Sequence, residues 1–288
     1  MSYPTVGDQT EAAPGGGAPQ AVFPDIVCGI DGSRGGKLAA RQAMALSGPD
    51  GVIRFVAIHH TVGVGLNEQS TLSQRRAAEA LEEAERLARS QGLRVSAALI
   101  SATHVSEVLR SEAKGHGLLV IGSHGGSRAG GIVLGGTVTQ IAHRCEQPLL
   151  ITRRAIDHGD FPDSVLLASD GSPGSWAAAR AVARLAARRP VEVRVVHVHD
   201  GPDPEADREV GRQLSLIAGA TGTPPRLQDK AGAVPERICQ AARAGQSALI
   251  VIGRRGMSGI RALGSVSERV AHRAPCSVLL VPPEEDLE

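Results

Sequence analysis

The chain has 288 residues, enough for two domains of about 150 residues, although a single barrel of that length would also be ordinary. Its 31 Lys and Arg residues against 30 acidic ones leave a formal net charge of +1, which excludes an overall basic field that would hold nucleic acid or an anionic membrane. One Trp, one Tyr and three Phe are too few for base-stacking platforms, so the 42% hydrophobic content comes mainly from Ala, Val, Leu and Ile.

The N-terminal segment is predicted to be a disordered tail. Residues 1–24 contain three consecutive glycines and four prolines, with almost nothing apolar to bury. The segment lacks the cationic start and apolar stretch of a secretory signal, and no apolar run in the chain approaches the roughly 18 residues that span a bilayer. We therefore expect a cytoplasmic protein that contacts no membrane.

From residue 25 onward, short aliphatic runs alternate with helical stretches, the pattern of a parallel sheet covered on both faces. The clearest helix runs from about Ser73 to Ser90, and Gly92 is placed to stop it. The candidate strands of this region are Ile26–Ile30, Ile53–His59, Arg94–Ile100, Leu118–Ile121 and Leu149–Thr152.

The same succession of landmarks then occurs a second time. The run DIVCGIDGS at residues 25–33 recurs as DSVLLASDGS at 163–172, and LLVIGSHG at 118–125 recurs as LIVIGRRG at 249–256. This repeat predicts two homologous domains, residues 25–153 and 163–282, and not one barrel. In the second copy, residues 201–225 contain several Gly and Pro residues, which predicts a shorter helix than the one at 73–90.

The sequence predicts neither a metal centre nor a catalytic residue. The four cysteines form no C-x-x-C pair and no cluster, so they are expected to be small buried hydrophobes. The pairs His59–His60 and His197–His199 lack a third ligand at a suitable spacing. No nucleophile and general base stand out as a set, so an enzymatic role is neither predicted nor excluded. The cysteines are Cys28, Cys145, Cys239 and Cys276.

A Gly-rich loop follows the fourth candidate strand of each copy. In the first copy nine residues separate Gly125 from Gly135, which opens a helix. Glycines there would let the backbone take positive φ and approach a ligand, while a helix start presents unpaired N–H groups and a positive dipole end. The loop also lies at the carboxyl end of a parallel strand, where ligands of such folds bind. This combination predicts a phosphate site that needs no lysine.

These motifs resemble the universal stress protein family, and specifically its tandem members with two domains in one chain. The resemblance rests on the strand-end Asp-Gly-Ser at Asp31 and Asp170 together with G-x-x-G-x9-G-(S/T) before the last helix. It implies two tandem adenine nucleotide α-hydrolase-like (Rossmann-like) domains, each with a five-stranded parallel sheet flanked by helices. In one branch of the family it also implies binding of ATP, with or without Mg²⁺.

The resemblance also implies which residues hold the nucleotide. Gly29, Ile30 and Asp31 would lie beside the adenosine, with His60 giving backbone contacts to the adenine. The ribose and phosphates would be surrounded by Gly122, Ser123, Gly125, Gly135, Gly136 and Thr137. The matching residues of the second copy are Ala168, Ser169, Asp170, Val198, Gly253, Arg254, Gly256, Gly264, Ser265 and Val266.

Both copies depart from the family pattern. The first has Gly136 where the family has Ser or Thr, although the hydroxyl of Thr137 is adjacent. In the second, only seven residues separate Gly256 from Gly264, which would tighten or close the phosphate cradle. Arg254 and Arg255 would partly compensate by offering charged forks to a phosphate. We therefore expect the first domain to be the better ATP site.

Structural explanations remain open beside these functional ones. Thr137 with Gln140, and Ser265 with Glu268, satisfy the capping-box pattern, so their hydroxyls would cap helices as well as, or instead of, contacting phosphate. The Asp31 carboxylate would equally bond N–H groups of its own Asp-Gly-Ser turn. The glycines would then serve only as flexible connections. A slow ATP hydrolase and an interaction scaffold without nucleotide are the alternative functions.

The last strand of each copy is a candidate edge. By the family resemblance, Leu149–Thr152 and Val278–Val281 pair antiparallel across a dimer axis. In a tandem chain the two domains would satisfy that pairing internally as a pseudo-dimer, which would cover two exposed edges. A further homodimer stays open.

Overall fold

The computed structural model describes residues 22–48, 50–60, 68–123, 134–153, 161–199, 201–254 and 263–283, with only the backbone for residues 60 and 68–70. Residues 1–21 of the predicted tail lie outside this range. Phe23 is buried in the core, and Val52 donates its backbone N–H to the carbonyl oxygen of Pro24 at 2.8 Å. The packed part of the chain therefore includes the last residues before the first strand.

Each half of the chain alternates strands with helices. The first half contains β1 (Asp25–Ile30), α1 (Arg34–Ser47), β2 (Val52–His60), α2 (Glu68–Ser90), β3 (Arg94–Ala102), α3 (Val105–Ala113), β4 (Leu118–Gly122), α4 (Gly136–Arg144) and β5 (Leu149–Thr152). The second contains β6 (Ser164–Ser169), α5 (Pro173–Ala186), β7 (Glu192–His199), α6 (Pro204–Thr221), β8 (Arg226–Ala231), α7 (Val234–Ala244), β9 (Leu249–Gly253), α8 (Ser265–Arg273) and β10 (Ser277–Val281).

The ten strands form one continuous sheet in the order β3-β2-β1-β4-β5-β10-β9-β6-β7-β8. Within each half all pairs are parallel. The predicted α/β fold with five parallel strands in each half is therefore confirmed. Helix α2 begins five residues earlier than predicted, at Glu68, and Gly92 follows its end with φ 75°. Helix α6, with 18 residues against 23, is the shorter one, as expected.

Helices cover both faces of the sheet, because the central strands β4, β5, β9 and β10 are aliphatic on both sides. One core unites residues of α1, α2, α5 and α6 with the alternate strand positions that include Ile26 and Val165. The other unites α3, α4, α7 and α8 with positions that include Val27 and Leu166. Both cores run through the two halves without interruption. No helix within the described residues has the length and apolar character of a membrane span.

The halves meet at the one antiparallel pair, in which Leu279 of β10 lies opposite Leu150 of β5. The predicted internal pairing of the closing strands is confirmed, and the chain forms an intrachain pseudo-dimer. Polar contacts reinforce the junction: the Arg153 N–H donates to Ser277 Oγ at 3.1 Å, and that hydroxyl donates to Gln42 Oε1 at 2.9 Å. All three residues are buried, so the bonds satisfy polar groups that water does not reach.

Candidate functional site

A cavity opens at the carboxyl ends of the strands in each half. The first measures about 690 Å³ and the second about 520 Å³, both within the range of about 300–1,000 Å³ typical of small-molecule sites. The first is lined by Gly29, Ile30, Asp31, Gly36, Val56, Ile58, Leu72, Ser73, Arg76, Ala77, Val105, Leu109, Ile121, Gly122, Gly135, Gly136, Thr137, Val138 and Ile141. The second is lined by Ala168, Ser169, Asp170, Ser172, Ser175, Val196, His197, Val198, His199, Gly201, Pro202, Asp203, Ala206, Val234, Ile238, Ile252, Gly253, Gly264, Ser265, Val266 and Ser267.

The Asp-Gly-Ser turn builds one wall of each cavity. Oδ1 of Asp31 accepts hydrogen bonds from the backbone N–H of Ser33 at 3.0 Å and from its hydroxyl at 2.6 Å. Ser33 Oγ in turn accepts from the Gly36 N–H at 3.1 Å and so caps the start of α1. Gly32, between them, has φ 74°, a conformation that favours glycine. The turn explanation for Asp31 is thus correct for Oδ1, while none of its described bonds uses Oδ2.

The second half repeats this turn. Oδ1 of Asp170 accepts from the N–H and the hydroxyl of Ser172, and Ser172 Oγ caps α5 by accepting from the Ser175 N–H at 3.2 Å. Gly171 takes φ 76°. In both copies the Asp-Gly-Ser motif thus has the same structural role: its three residues connect the end of a strand to the start of a helix.

The starts of α4 and α8 have no side-chain cap. Their N-cap residues are Gly135 and Gly264, whereas Thr137 and Ser265 lie inside the helices. The capping-box expectation for these two hydroxyls is therefore wrong, because a capping box needs the hydroxyl on the N-cap residue itself. Among the described residues no side chain takes the first backbone N–H groups of either helix, so these groups can bind water or a ligand.

The described glycines around these helix starts do not take the positive φ that the sequence suggested. Gly135 and Gly264 have φ −64° and −65°, so positive φ is not their reason for being glycine. Gly122 is glycine because a Cβ there would lie 2.8 Å from the carbonyl carbon of Gly35 in α1. At Gly253 the corresponding distance, to Gly174 of α5, is 2.5 Å. Both residues line their cavities, but close strand–helix packing alone accounts for them.

Strand register corrects the match between the second strands of the two halves. Ala57 pairs with Ile30, and His197 pairs with Ser169, each next to the strand-end Asp. Ile58, and not His60, is therefore the counterpart of Val198, and both of these apolar residues line a cavity. The side chain of His60 lies outside the described part of the chain.

Most of the other predicted residues come together, and a few do not. All remaining predicted residues with described positions line their own cavity except Ser123 and Arg254. The Ser123 carbonyl oxygen accepts the Gly135 N–H at 3.1 Å, and the Arg254 carbonyl oxygen accepts the Gly264 N–H at 2.9 Å. Both residues therefore hold a helix N-cap in place through the backbone. Gly125 and Gly256 lie outside the described residues.

Sequence reasoning missed the helical walls. Arg76 of α2 lines the first cavity, and it is the one Lys or Arg among the described residues that do so. In the second cavity the equivalent wall contains the α6 N-cap residue Asp203, and strand β7 adds His197 and His199. The sequence did offer one signal for Arg76. It directly precedes Ala77, a residue of the predicted apolar face of α2, and therefore lies at the edge of the face that packs on the sheet.

The second cavity has a fixed pair of imidazoles. His197 Nδ1 lies 2.9 Å from the carbonyl oxygen of Ser169, which requires that this nitrogen carry the hydrogen. Its Nε2 lies 3.6 Å from Asp207 Oδ1, and His199 Nε2 lies 3.1 Å from Asp229 Oδ1. The two rings stack with centroids 5.7 Å apart. No cluster of three potential metal-binding side chains occurs within the described ranges.

The helix starts are also tied to the opposite half. His272 of α8 accepts at Nδ1 from the N–H of Leu134, two residues before α4, at 3.3 Å. Burial lowers the pKa of His272, and the nearby Glu268 carboxylate opposes this effect. His143 of α4 contacts Glu268 Oε1 at 3.3 Å. The start of each of these two helices is therefore bonded to the last turn of the other helix.

A sequence model of the universal stress protein family matches residues 23–153 and 162–282. A universal stress protein from Mycolicibacterium smegmatis is 30% identical over 291 aligned residues, covering 90% of this chain and 97% of that protein. A second relative, a universal stress protein from Thermus aquaticus, is 34% identical over 41% of this chain and 97% of its own length. Among solved structures, a universal stress protein from Archaeoglobus fulgidus is similar with a TM-score of 0.73 and 20% identity, covering 90% of this chain and 96% of that one.

Proposed function

The chain belongs to the universal stress protein family, with two such domains in tandem, and on this premise we propose that it binds ATP or a related adenine nucleotide through its strand-end cavities and acts in stress response or regulation. The observation that carries the proposal is the start of α4. Its N–H groups have no side-chain cap, and Gly135, Gly136 and Thr137 of this start line a cavity large enough for a small molecule.

The chemistry of the first cavity suits such a ligand. The helix start supplies amide donors and a positive dipole end for phosphate oxygens. Arg76, on the wall formed by α2, adds a cation. Apolar residues, among them Val56, Ile58 and Leu109, offer a surface for a purine ring, and Asp31 keeps Oδ2 as an acceptor for a sugar hydroxyl or an amine.

A magnesium ion bound with ATP would be held mainly by the phosphates. Asp31 is the one carboxylate among the described residues that line the first cavity, and Mg²⁺ in nucleotide sites takes one or two carboxylates together with phosphate oxygens and water. The fit therefore allows Mg²⁺ as a companion of the nucleotide and not as a separately bound ion.

Calorimetry with ATP tests the proposal. The wild type should bind ATP, and the Gly135→Val variant should lose most of the first-cavity heat because the side chain would stand at the helix amides. Among the described atoms, a β-carbon at this position has only Ser123 O within 4 Å, at 3.7 Å, so the fold should tolerate the change. Gly264→Val is the matched variant in the second half. Absence of heat with the wild type would refute the proposal.

The alternatives have separate readouts. A slow hydrolase would release phosphate or pyrophosphate steadily above a boiled control, and this release would disappear in Gly135→Val. An interaction scaffold would carry no nucleotide after purification. Denaturing the purified protein and analysing the supernatant for ATP, ADP, AMP and cyclic AMP separates binding from scaffolding.

A further inference from the structure

We propose that the two cavities select ligands of different charge: the first takes a nucleoside triphosphate, and the second takes a nucleoside without a polyphosphate chain. This inference rests on the proposed function, because both ligands belong to the adenine class. It goes beyond that function by assigning separate specificities to the two halves of the chain.

Charge is the first difference between the cavities. The described lining of the first contains one carboxylate, that of Asp31, and one guanidinium, that of Arg76. In the second, Asp170 and Asp203 both line the space, and no Lys or Arg does so among the residues that the structure describes. A triphosphate would therefore meet two carboxylates with no guanidinium or ammonium group beside them in the described lining of the second cavity.

Arg254, which the sequence suggested as compensation, faces elsewhere. It is 4% exposed and does not line the cavity. Burial raises the pKa of Cys145 in the first half, and the Gln147 backbone and the nearby positive charge of Arg254 oppose this effect. The guanidinium thus lies toward the junction of the halves.

Size and shape differ in the same sense. The second cavity is smaller, about 520 Å³ against about 690 Å³. Its loop is two residues shorter, with seven residues between Gly256 and Gly264 where the first half has nine between Gly125 and Gly135. His197 also occupies the strand position that Ala57 holds in the first half. Less room remains for a chain of three phosphates.

The polar groups that the second cavity does present fit a ribose and a base. Asp203 uses Oδ1 to accept the N–H groups of Glu205 and Ala206, each at 3.1 Å, and the described bonds of Asp170 also use Oδ1. The Oδ2 atoms of both can accept from ribose hydroxyls or an exocyclic amine. Apolar side chains, among them Val196 and Ile238, supply the contact surface.

The test is calorimetry on the full-length Gly135→Val variant, which leaves the second cavity intact, with adenosine, AMP and Mg-ATP as titrants. We expect adenosine to bind at least about tenfold more tightly than Mg-ATP. Adding Asp203→Asn, which keeps a side chain that caps α6 well, should strengthen Mg-ATP binding about fivefold, the effect of one unit charge at about 4 Å in water. The same change should weaken adenosine binding, because an amide nitrogen replaces the acceptor Oδ2. The Gly264→Val variant, with only the first cavity intact, should show the opposite preference, and Arg76→Gln in that background should weaken Mg-ATP.

Equal or tighter binding of Mg-ATP than of adenosine by Gly135→Val would overturn the inference. Adenosine binding that is absent from Gly135→Val, with Mg-ATP bound by the wild type, would overturn the inference alone. No heat from any titrant with the wild type would overturn the proposed function as well.

Discussion

Replacing Gly122 by alanine should show whether close packing against α1 is the reason for a glycine at the end of β4. A Cβ there would lie 2.8 Å from the carbonyl carbon of Gly35, whereas non-bonded carbons normally sit about 3.5–4.0 Å apart. The obstructing atom belongs to the backbone of α1 and cannot rotate away, so the helix must move by about 0.7 Å. Overpacking of this kind costs about 1–3 kcal/mol, which at about 2–4 °C per kcal/mol should lower the melting temperature by roughly 2–12 °C.

Urea unfolding followed by circular dichroism measures this loss. Gly253→Ala should cost at least as much, because its Cβ would lie 2.5 Å from the Gly174 carbonyl carbon. Gly136→Ala is the control: no atom of the described residues lies within 4 Å of its Cβ, so it should leave stability unchanged or slightly higher. If Gly122→Ala unfolds at the same urea concentration as Gly136→Ala, the packing explanation of Gly122 is incorrect.

Three further outcomes are expected. Ser33→Ala and Ser172→Ala should each lower the free energy of unfolding by about 1 kcal/mol through loss of a helix cap, and an unchanged urea midpoint would contradict the cap assignment. Burial lowers the pKa of His272 in the folded state, so the neutral imidazole contributes its full stability above the unfolded pKa of 6.5, and this contribution is lost as the pH falls from 6.5 through the lower, folded pKa. His272→Gln should flatten this part of the curve of stability against pH. A curve that the variant leaves unaltered would contradict this assignment to His272. Burial raises the pKa of Cys276 to about 12, and all four cysteines are buried and free, so a thiol reagent at pH 8 should label them only on unfolding, whereas rapid labelling of the native protein would show that they are exposed.

The sequence predicts the strands well and the walls of the cavities poorly. Parallel strands buried on both faces are continuous aliphatic runs, so Leu118–Ile121 was found to within one residue of β4. The first turn of α2 was missed because it is polar and has no apolar periodicity. Arg76 and His197 enter the cavities from elements that tertiary packing brings to the site, so the rim position of Arg76 and the spacing of His197 and His199 do not by themselves show that these side chains line a cavity. The role of Gly122 depends on a strand–helix distance, which spacing along the chain cannot reveal.

The antiparallel pair of β5 and β10 has a consequence for how the protein can evolve and respond. In a dimer of identical single domains, every substitution would appear on both sides of the axis, and the pairing would depend on protein concentration. Here a covalent connection holds the two edges at a constant, high effective concentration. Each half can therefore accumulate its own substitutions: His197 in the second half stands at the strand position that Ala57 occupies in the first. Dilution cannot separate the two cavities, because the chain connects them.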